Sequence, residues 1–264
     1  MRTTLQSILL CAYRKLGGPR WLDHPLGRRV LMSAYVLYKR WFEAAQVRGL
    51  HEFVAADAWV VDVGANVGYF TRLFAGWVSG SGKVVAIEPD TSNLAVLRWH
   101  TGACADRTVI VAAAAAAFTG PAGLQRSADS HADHRLVAAG DGEPVAALRL
   151  DELLERYGPP PVGLVKIDVQ GTEYGVLAGA LHTLDRCRPA VILEVDAHDV
   201  PAMVQSARAL ELLHRLGYRC RGELGHTDGV AWTPLAILAH ARERGYGDYL
   251  FLPDARRLTA ASSC

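Results

Sequence analysis

Two acidic residues stand where two neighbouring buried strands are expected to end. Asp62 lies in the apolar run from Trp59 to Val63, and a turn containing Gly64 and Gly68 follows it. Helical spacing of apolar residues begins after the turn, so the segment predicts a buried parallel strand, a tight turn and a helix start. Glu88 ends the next apolar run, 24 residues after Gly64. An acid roughly 20 residues after such a turn commonly binds ribose hydroxyl groups, whereas the alternative for Glu88 is a helix cap.

The glycine spacing distinguishes two classes of cofactor. A dinucleotide turn has the pattern G-x-G-x-x-G, in which the glycines let the backbone approach a pyrophosphate. This chain has Asn66 in place of the middle glycine, and the carboxylate of Asp62 would repel a pyrophosphate. S-adenosylmethionine (SAM) has no phosphate and carries an ammonium and a sulfonium. We therefore predict SAM rather than NAD, the alternative being a tight strand–helix connection that binds no ligand.

The predicted cofactor contacts form three groups. The methionine end of SAM is assigned to Asp62, Gly64, Ala65, Asn66 and Gly68, the ribose to Glu88 with Pro89, and the adenine to the stretch 113–116 around Ala114. The last group lies in six consecutive alanines at 112–117, and side chains that small permit close approach of a flat ring. Tight packing within the protein explains the alanines equally well.

Composition excludes several classes of protein. The 264 residues are 50% hydrophobic, and 28 Lys plus Arg against 27 Asp plus Glu leave a net charge of +1. A nucleic-acid partner is disfavoured because there is no basic excess to neutralise phosphates. Five scattered cysteines without a C-x-x-C pair predict neither a disulfide framework nor a zinc site. With no apolar run near the ~18 residues of a membrane span and no clear signal peptide, we expect a cytoplasmic protein.

The pattern of apolar runs predicts an α/β protein with a doubly wound sheet. Its expected parts are a helical extension (1–58), an α/β domain (59–253) and a tail (254–264). The extension is expected to cover the domain or a second subunit rather than a membrane surface. Within the domain we predict a long loop at 119–147, a helix over 152–157 capped by Asp151, and one helix over 172–187.

The order of motifs resembles the FkbM family of SAM-dependent methyltransferases. The resemblance rests on V-D-V-G-A-N-V-G at 61–68, on Glu88-Pro89, on V-K-I-D-V-Q-G-T-E at 165–173 and on 189–194, and it covers roughly residues 50–253. It implies a Rossmann-like class I methyltransferase sheet of seven strands, the last antiparallel. It also implies transfer of a methyl group, most often to a hydroxyl of a sugar, polyketide or other specialised metabolite of the antibiotic type. Gln170 departs from the family, which usually has Glu there.

Methylation of a hydroxyl group needs a base within hydrogen-bond reach of the acceptor. Asp168 ends the predicted fourth strand, beside the first, and either contacts a ligand or serves as a helix cap or partner of Lys166. The other candidates are Glu194, at the end of the fifth strand, and His134, with His131 beside it in the 119–147 loop. Asp168 and Glu194 could hold Mg²⁺ through their oxygens. We do not expect a metal, because no further acidic pair supports it.

Two functions from other classes remain as alternatives. An NAD-dependent oxidoreductase would share the sheet but not the glycine spacing. A non-catalytic interaction domain on the same fold would have no need of both cofactor acids, Asp62 and Glu88. The neutral charge disfavours an RNA acceptor, and a protein acceptor stays open beside the expected small molecule.

Overall fold

The computed structural model describes residues 47–125, 135–158, 160–225 and 232–254. The predicted N-terminal helices lie almost entirely outside these ranges, as do the end of the chain, His131 and His134. The helical extension, the proposed subunit contact and the domain limits therefore stay predictions. Within the described ranges, no helix combines the length and the apolar character needed to cross a membrane.

The described residues form eleven strands and seven α-helices, numbered here along the chain. The strands are β1 (Trp59–Val63), β2 (Val84–Ile87), β3 (Thr108–Val111), β4 (Ala114–Ala115), β5 (Gly120–Gln125), β6 (Arg135–Val137), β7 (Glu143–Leu148), β8 (Val162–Ile167), β9 (Ala190–Asp196), β10 (Tyr218–Glu223) and β11 (Tyr246–Pro253). The helices are α1 (Tyr69–Ala75), α2 (Thr91–Thr101), α3 (Leu150–Glu155), α4 (Glu173–Ala178), α5 (Leu181–Cys187), α6 (Val200–Arg215) and α7 (Pro234–Arg244). Short 3-10 helices occupy Arg48–Phe53 and Gly102–Arg107.

Seven strands form the main sheet, in the order β10-β11-β9-β8-β1-β2-β3. The five strands from β9 to β3 run parallel, whereas β11 is antiparallel to both of its neighbours. The predicted doubly wound sheet of seven strands with an antiparallel last strand is confirmed. In such a sheet ligands bind outside the carboxyl ends of the parallel strands, where β1 and β8 lie side by side.

The central strands are buried on both faces, which is why they are nearly continuous apolar runs. Side chains alternate between the faces, so Val61, Val165 and Val191 enter one hydrophobic cluster while Val60 and Ile192 enter another. Helices α3 to α6 cover the first face, and α1 with its phenylalanines packs on the second. Both faces being covered, the sheet is a fixed support for the turns at its carboxyl edge.

A second sheet replaces most of the loop predicted at 119–147. Strands β4, β7, β5 and β6 pair in that order, and residues 126–134 of the predicted loop lie outside the described ranges. The abundance of Gly and Ala led to the wrong prediction, because these residues are poor strand formers in isolation. Here their small size is required: a Cβ on Gly123 would lie 1.8 Å from the Asp141 carbonyl oxygen. Tertiary packing thus overrides local propensity.

The helix predicted over 172–187 is two helices, α4 and α5, separated at Gly179 and Ala180. A Cβ on Gly179 would lie 2.1 Å from the Ala116 carbonyl oxygen, so the chain bends where the alanine segment touches it. The apolar spacing runs through this break. A contact between distant segments caused it, and the periodicity could not reveal it.

Asp151 caps a different helix from the one predicted. Helix α3 begins at Leu150, and Asp151 lies inside its first turn. The Asp151 carboxylate accepts hydrogen bonds from the backbone N–H groups of His182 (3.0 Å) and Thr183 (2.9 Å) and from the Thr183 hydroxyl (2.7 Å). It therefore stabilises the start of α5 and holds α3 against it.

We expect Asp151→Ala to lower the free energy of unfolding by about 2 kcal/mol, because two buried donors of Thr183 and the partly buried N–H of His182 lose their acceptor. Urea denaturation measures the change. Glu155→Ala, an exposed acid at the end of the same helix, is the control and should change stability by less than about 0.5 kcal/mol. Equal stability of the two variants would contradict the capping role.

Candidate active site

The turn after β1 has a left-handed backbone at three positions. Gly64 has φ +76°, Asn66 φ +49° and Gly68 φ +82°, values that glycine adopts without strain and asparagine tolerates better than most residues. The N–H groups of Gly64 and Ala65 both donate to the carbonyl oxygen of Ile87 at the end of β2, at 3.0 and 3.1 Å. The turn is therefore fixed across the carboxyl ends of two adjacent strands.

The two glycines of the turn are required by the protein itself as well as by any ligand. A Cβ on Gly64 would lie 1.9 Å from the Asp168 carbonyl oxygen. A Cβ on Gly68 would lie 2.4 Å from a methyl carbon of Leu97 on α2. Gly64 thus lets the turn approach the chain after β8, and Gly68 lets α2 approach the start of α1.

Glu88 connects the turn to the end of β2. Its carboxylate accepts from the N–H of Asn66 (2.8 Å), from the N–H of Asp90 (2.9 Å) and from the Asn93 side chain (3.3 Å). Only 4% of Glu88 is exposed, and this burial raises its pKa. Asp90, rather than Glu88, caps α2 through the N–H groups of Ser92 and Asn93.

Asp62 lies within β1 and is buried. Its Oδ2 accepts a hydrogen bond of 2.6 Å from the Thr71 hydroxyl on α1, so the residue orients that helix on the strand. Pro89 directly follows Glu88 and is partly buried. Both acids therefore adjoin the turn, Asp62 along the chain and Glu88 through its hydrogen bond with Asn66.

Ala114 follows the end of β3 in the chain and belongs to the next strand, β4. Strand β3 ends at Val111, and Ala114 already pairs with Ala147 in the small sheet. The residues between them, Ala112 and Ala113, lead directly from the carboxyl end of β3. The predicted adenine segment, 113–116, therefore begins two residues after the end of β3 and continues into the second sheet.

Asp168 follows the last residue of β8 and meets the turn directly. Its N–H donates to the carbonyl oxygen of Val63 (3.1 Å). The Lys166 ammonium lies 2.5 Å from its Oδ2 and 4.6 Å from the centre of the Phe70 ring. The Lys166 side chain exposes 2% of its surface and that of Asp168 31%, so Asp168 is the member of the pair that a ligand can reach. Lys166 is buried and contacts Asp168 from the interior of the protein.

Further carboxyl groups surround this ion pair. Glu194 accepts from the Gln170 amide (3.2 Å), and Glu173 accepts from the N–H of Gly171 (2.9 Å). Burial, followed by the charges of Asp168, Asp248 and Glu173, raises the pKa of Glu194 well above its ordinary value. Gln170 therefore supplies an uncharged hydrogen-bond donor to Glu194 at the position where the family usually has a second acid.

Glu173 is fully buried. Burial raises its pKa to about 7, and the charges of Asp196 and Asp168 act in the same direction. Its position in the first turn of α4 suits stabilisation of that helix start. The hydrogen bond to Gly171 agrees with that role, but the proximity of several other acids could not be predicted from its position in the sequence.

His198 lies in the loop after β9, two residues beyond Asp196. Its Nδ1 lies 2.5 Å from Oδ1 of Asp196 at the end of β9, and its Nε2 lies 3.2 Å from Oδ2 of Asp199. The hydrogen bond to Asp196 raises the pKa of His198. Arg135 of β6 reaches the same Asp199 oxygen at 3.3 Å and so connects the small sheet to this loop. The spacing Asp-x-His after a strand was the signal that could have identified the pair.

The residues of the turn fit SAM. The buried side-chain oxygen of Asn66 has no hydrogen-bond partner among the described residues and can accept from the cofactor. The paired oxygens of Glu88 suit two ribose hydroxyl groups. The basic side chain nearest to the turn in the described hydrogen bonds is His100, whose Nδ1 lies 3.1 Å from the Val67 carbonyl oxygen and whose pKa is lowered by burial, which favours the uncharged ring. In the described ranges no group of three or more His, Cys, Asp or Glu is arranged to hold a metal ion.

Solved structures of methyltransferases have a similar fold. An FkbM methyltransferase from Methylobacillus flagellatus is 18% identical, with a TM-score of 0.50 over 92% of this chain and 58% of that chain. An O-methyltransferase from Bacillus cereus, in complex with S-adenosylhomocysteine, is 16% identical, with a TM-score of 0.48 over 79% and 80%. A putative rRNA methylase from Clostridium thermocellum is 12% identical, with a TM-score of 0.44 over 77% and 92%.

At these identities the likeness concerns the fold, which is that of the class I methyltransferases. The chain spans 58% of the length of the Methylobacillus protein. No curated protein matches the sequence. The model of the methyltransferase FkbM domain, however, matches residues 62–220, from Asp62 in β1 to Cys220 in β10. The chain belongs to the FkbM methyltransferase family.

Proposed function

We propose that the protein transfers the methyl group of SAM to a hydroxyl oxygen of a small molecule, a specialised metabolite of the sugar or polyketide type. The observation that carries the proposal is the direct link between the glycine turn and Glu88, with Asn66 donating to the carboxylate at 2.8 Å. This link supports the assignment of Glu88 to the ribose, next to a turn that suits a cation and not a pyrophosphate.

In this proposal the turn from Gly64 to Gly68 and Asp62 hold the methionine end of SAM, and Asn66 supplies its side-chain oxygen. Glu88 accepts hydrogen bonds from the ribose hydroxyl groups while keeping its backbone partners. Ala112 to Ala114 lie along the adenine. The bound cofactor supplies a methyl group on a positively charged sulfur, and transfer requires the acceptor oxygen in line with that bond.

Asp168 orients the acceptor hydroxyl or the cofactor ammonium. Lys166 keeps this carboxylate charged and pointed toward the ligand, since the buried ammonium and the stacking on Phe70 allow it few other positions. Asp168 is thus a hydrogen-bond acceptor for the ligand. The proton lost by the hydroxyl needs a nearby group of higher pKa, and Glu194 is such a group.

The acceptor is enclosed by parts of the chain outside the main sheet. The Arg135–Asp199 contact joins the small sheet to the loop after β9 at the edge where ligands bind. An enclosed site excludes water, which would compete for the methyl group. It also suits a small acceptor better than a long nucleic acid, in agreement with the net charge of +1.

Transfer of labelled methyl groups tests this function. The protein is incubated with methyl-labelled SAM and, separately, with a set of hydroxylated sugars and polyketides, with total RNA and with a protein extract. We expect label in the small-molecule set, on oxygen, and none in the other two. Label in RNA or protein instead would contradict the proposed acceptor class, and transfer to nitrogen would contradict the hydroxyl.

A further inference from the structure

Four carboxyl groups and one ammonium lie together at the carboxyl ends of β8 and β9. We call this set the acid cluster: Asp168, Glu173, Glu194, Asp248 and Lys166. Asp248 is paired directly with Glu194 across the antiparallel strands β11 and β9. Asp168 comes one residue beyond Ile167, which pairs with Leu193 at the end of the β8–β9 ladder, so it lies beside Glu194. The cluster carries more acid than its single lysine can neutralise.

Glu173 gives an independent sign that this cluster meets a ligand. The residue is 0% exposed, and its Oε2 has no hydrogen-bond partner among the described residues. A buried carboxylate oxygen without a partner costs about 1–3 kcal/mol unless a proton or a ligand compensates it. The charges of Asp196 and Asp168 act on Glu173, and the charge of Glu173 acts on Glu194, so the residue is electrostatically part of the cluster.

The acid cluster borders the place where the sulfonium of SAM is expected. The carbonyl oxygen of Asp168 fills the space that a Cβ on Gly64 would need, so the cluster and the glycine turn are in direct backbone contact. In a class I sheet the ligand crosses the carboxyl ends of the strands at this junction of β1 and β8. A positive charge arriving here would be attracted by every carboxylate of the cluster.

Given the proposed function, on which this inference rests, we infer that Glu173 and Glu194 hold protons while the site is empty and release protons when the positively charged sulfonium binds. In the absence of ligand, protons neutralise part of the cluster. When SAM binds, its positive charge favours the ionised carboxylates and a proton leaves. When the methyl group has been transferred and sulfur is neutral again, the cluster takes a proton up.

The step balances in atoms and charge. The C–S bond of SAM breaks with its electron pair going to sulfur, which becomes the thioether of S-adenosylhomocysteine. The C–O bond forms to the acceptor oxygen, and the hydroxyl proton passes to a carboxylate of the cluster. Loss of the sulfonium charge restores the high pKa of that carboxyl at the moment when a proton must be accepted. The site therefore becomes a stronger base as the reaction proceeds.

The inference predicts different proton release for two ligands that differ at sulfur. Titration calorimetry in buffers of different ionisation enthalpy counts the protons released on binding of SAM and of S-adenosylhomocysteine. With a pKa of about 7, Glu173 holds about half a proton at pH 7, and part of it is released when the sulfonium lowers that pKa. We expect SAM to release up to about 0.5 proton more than S-adenosylhomocysteine at pH 7, with any contribution of Glu194 in addition.

The raised pKa values determine how proton release and the preference for SAM over S-adenosylhomocysteine change with pH. Above pH 8, Glu173 is already ionised without ligand, so its share of the release disappears. The preference for SAM over S-adenosylhomocysteine should rise between pH 6 and pH 8 as Glu173 loses its proton. Glu194, which faces Asp168, Asp248, Glu173 and Lys166, extends the effect to higher pH.

Two variants and a control complete the test. Glu173→Gln and Glu194→Gln should each lower the difference in proton release, and the double variant should abolish it. Glu211→Gln, an exposed acid on α6, should leave it unchanged. Equal proton counts for the two ligands in the wild type would overturn the inference while leaving the proposed function intact. Failure of both ligands to bind would overturn the proposed function and the inference with it.

Discussion

Asp168→Asn is expected to lower kcat by about 100-fold while the Kd of S-adenosylhomocysteine changes by less than about threefold. The asparagine keeps the shape of the side chain and still offers Lys166 an oxygen. It loses the charge and can no longer accept hydrogen bonds with both side-chain oxygens, so the acceptor hydroxyl is misplaced. The measurement is steady-state turnover with the acceptor found by methyl labelling, together with calorimetry of product binding.

A second readout separates this role from a general loss of structure. The charge of Asp168 raises the pKa of Glu194, so removing it lowers that pKa. Any limb of the pH–rate profile that Glu194 controls should therefore move to lower pH in Asp168→Asn. Asp185→Asn, an exposed acid on α5, serves as the matched control and should match the wild type in both assays. Normal turnover of Asp168→Asn would remove this residue from the chemistry.

Glu88→Ala is expected to weaken binding of S-adenosylhomocysteine by about 100-fold. Two hydrogen bonds to a charged group, at roughly 1.5 kcal/mol each, correspond to about 3 kcal/mol, and every 1.4 kcal/mol is tenfold in Kd. The thermal midpoint should also fall, because the Asn66 and Asp90 N–H groups lose their acceptor. Affinity is measured by calorimetry below the unfolding transition.

A ligand lacking the ribose 2′-hydroxyl isolates the ribose contact from the structural effect. The wild type should bind 2′-deoxy-S-adenosylhomocysteine more weakly than the complete ligand, whereas Glu88→Ala should bind the two equally. Glu52→Ala, an exposed acid in the 3-10 helix before β1, is the control and should retain the difference. If Glu88→Ala still discriminates as the wild type does, the ribose lies elsewhere.

The strands and turns that frame the site could be predicted because their signals are local. A continuous apolar run, an acid and a short glycine turn identify β1 and β2 without any knowledge of the remaining chain. The seven-stranded sheet and the family are confirmed. The roles of Asp62, Glu88 and the turn glycines stay predictions, now with a geometry that brings them together.

What the sequence could not reveal depends on contacts between distant segments. The helix breaks at Gly179 because the Ala116 carbonyl group packs against this residue. The small sheet forms because Gly123, having no side chain, leaves room for the Asp141 carbonyl group. The depth of Lys166 and the pKa of Glu173 result from neighbours on other strands and helices. His134 stays a candidate base that lies outside the described ranges, whereas His198 is described and contacts Asp196 at the end of β9.

The most direct measurement is calorimetric binding of S-adenosylhomocysteine to the pure, folded protein, with NAD titrated in parallel. The account predicts binding in the micromolar range for S-adenosylhomocysteine and none for NAD, because the turn carries an acid on each side and lacks the middle glycine of a dinucleotide site. Binding of NAD in place of S-adenosylhomocysteine, or binding of neither ligand, would contradict the central claim that this turn is a SAM site.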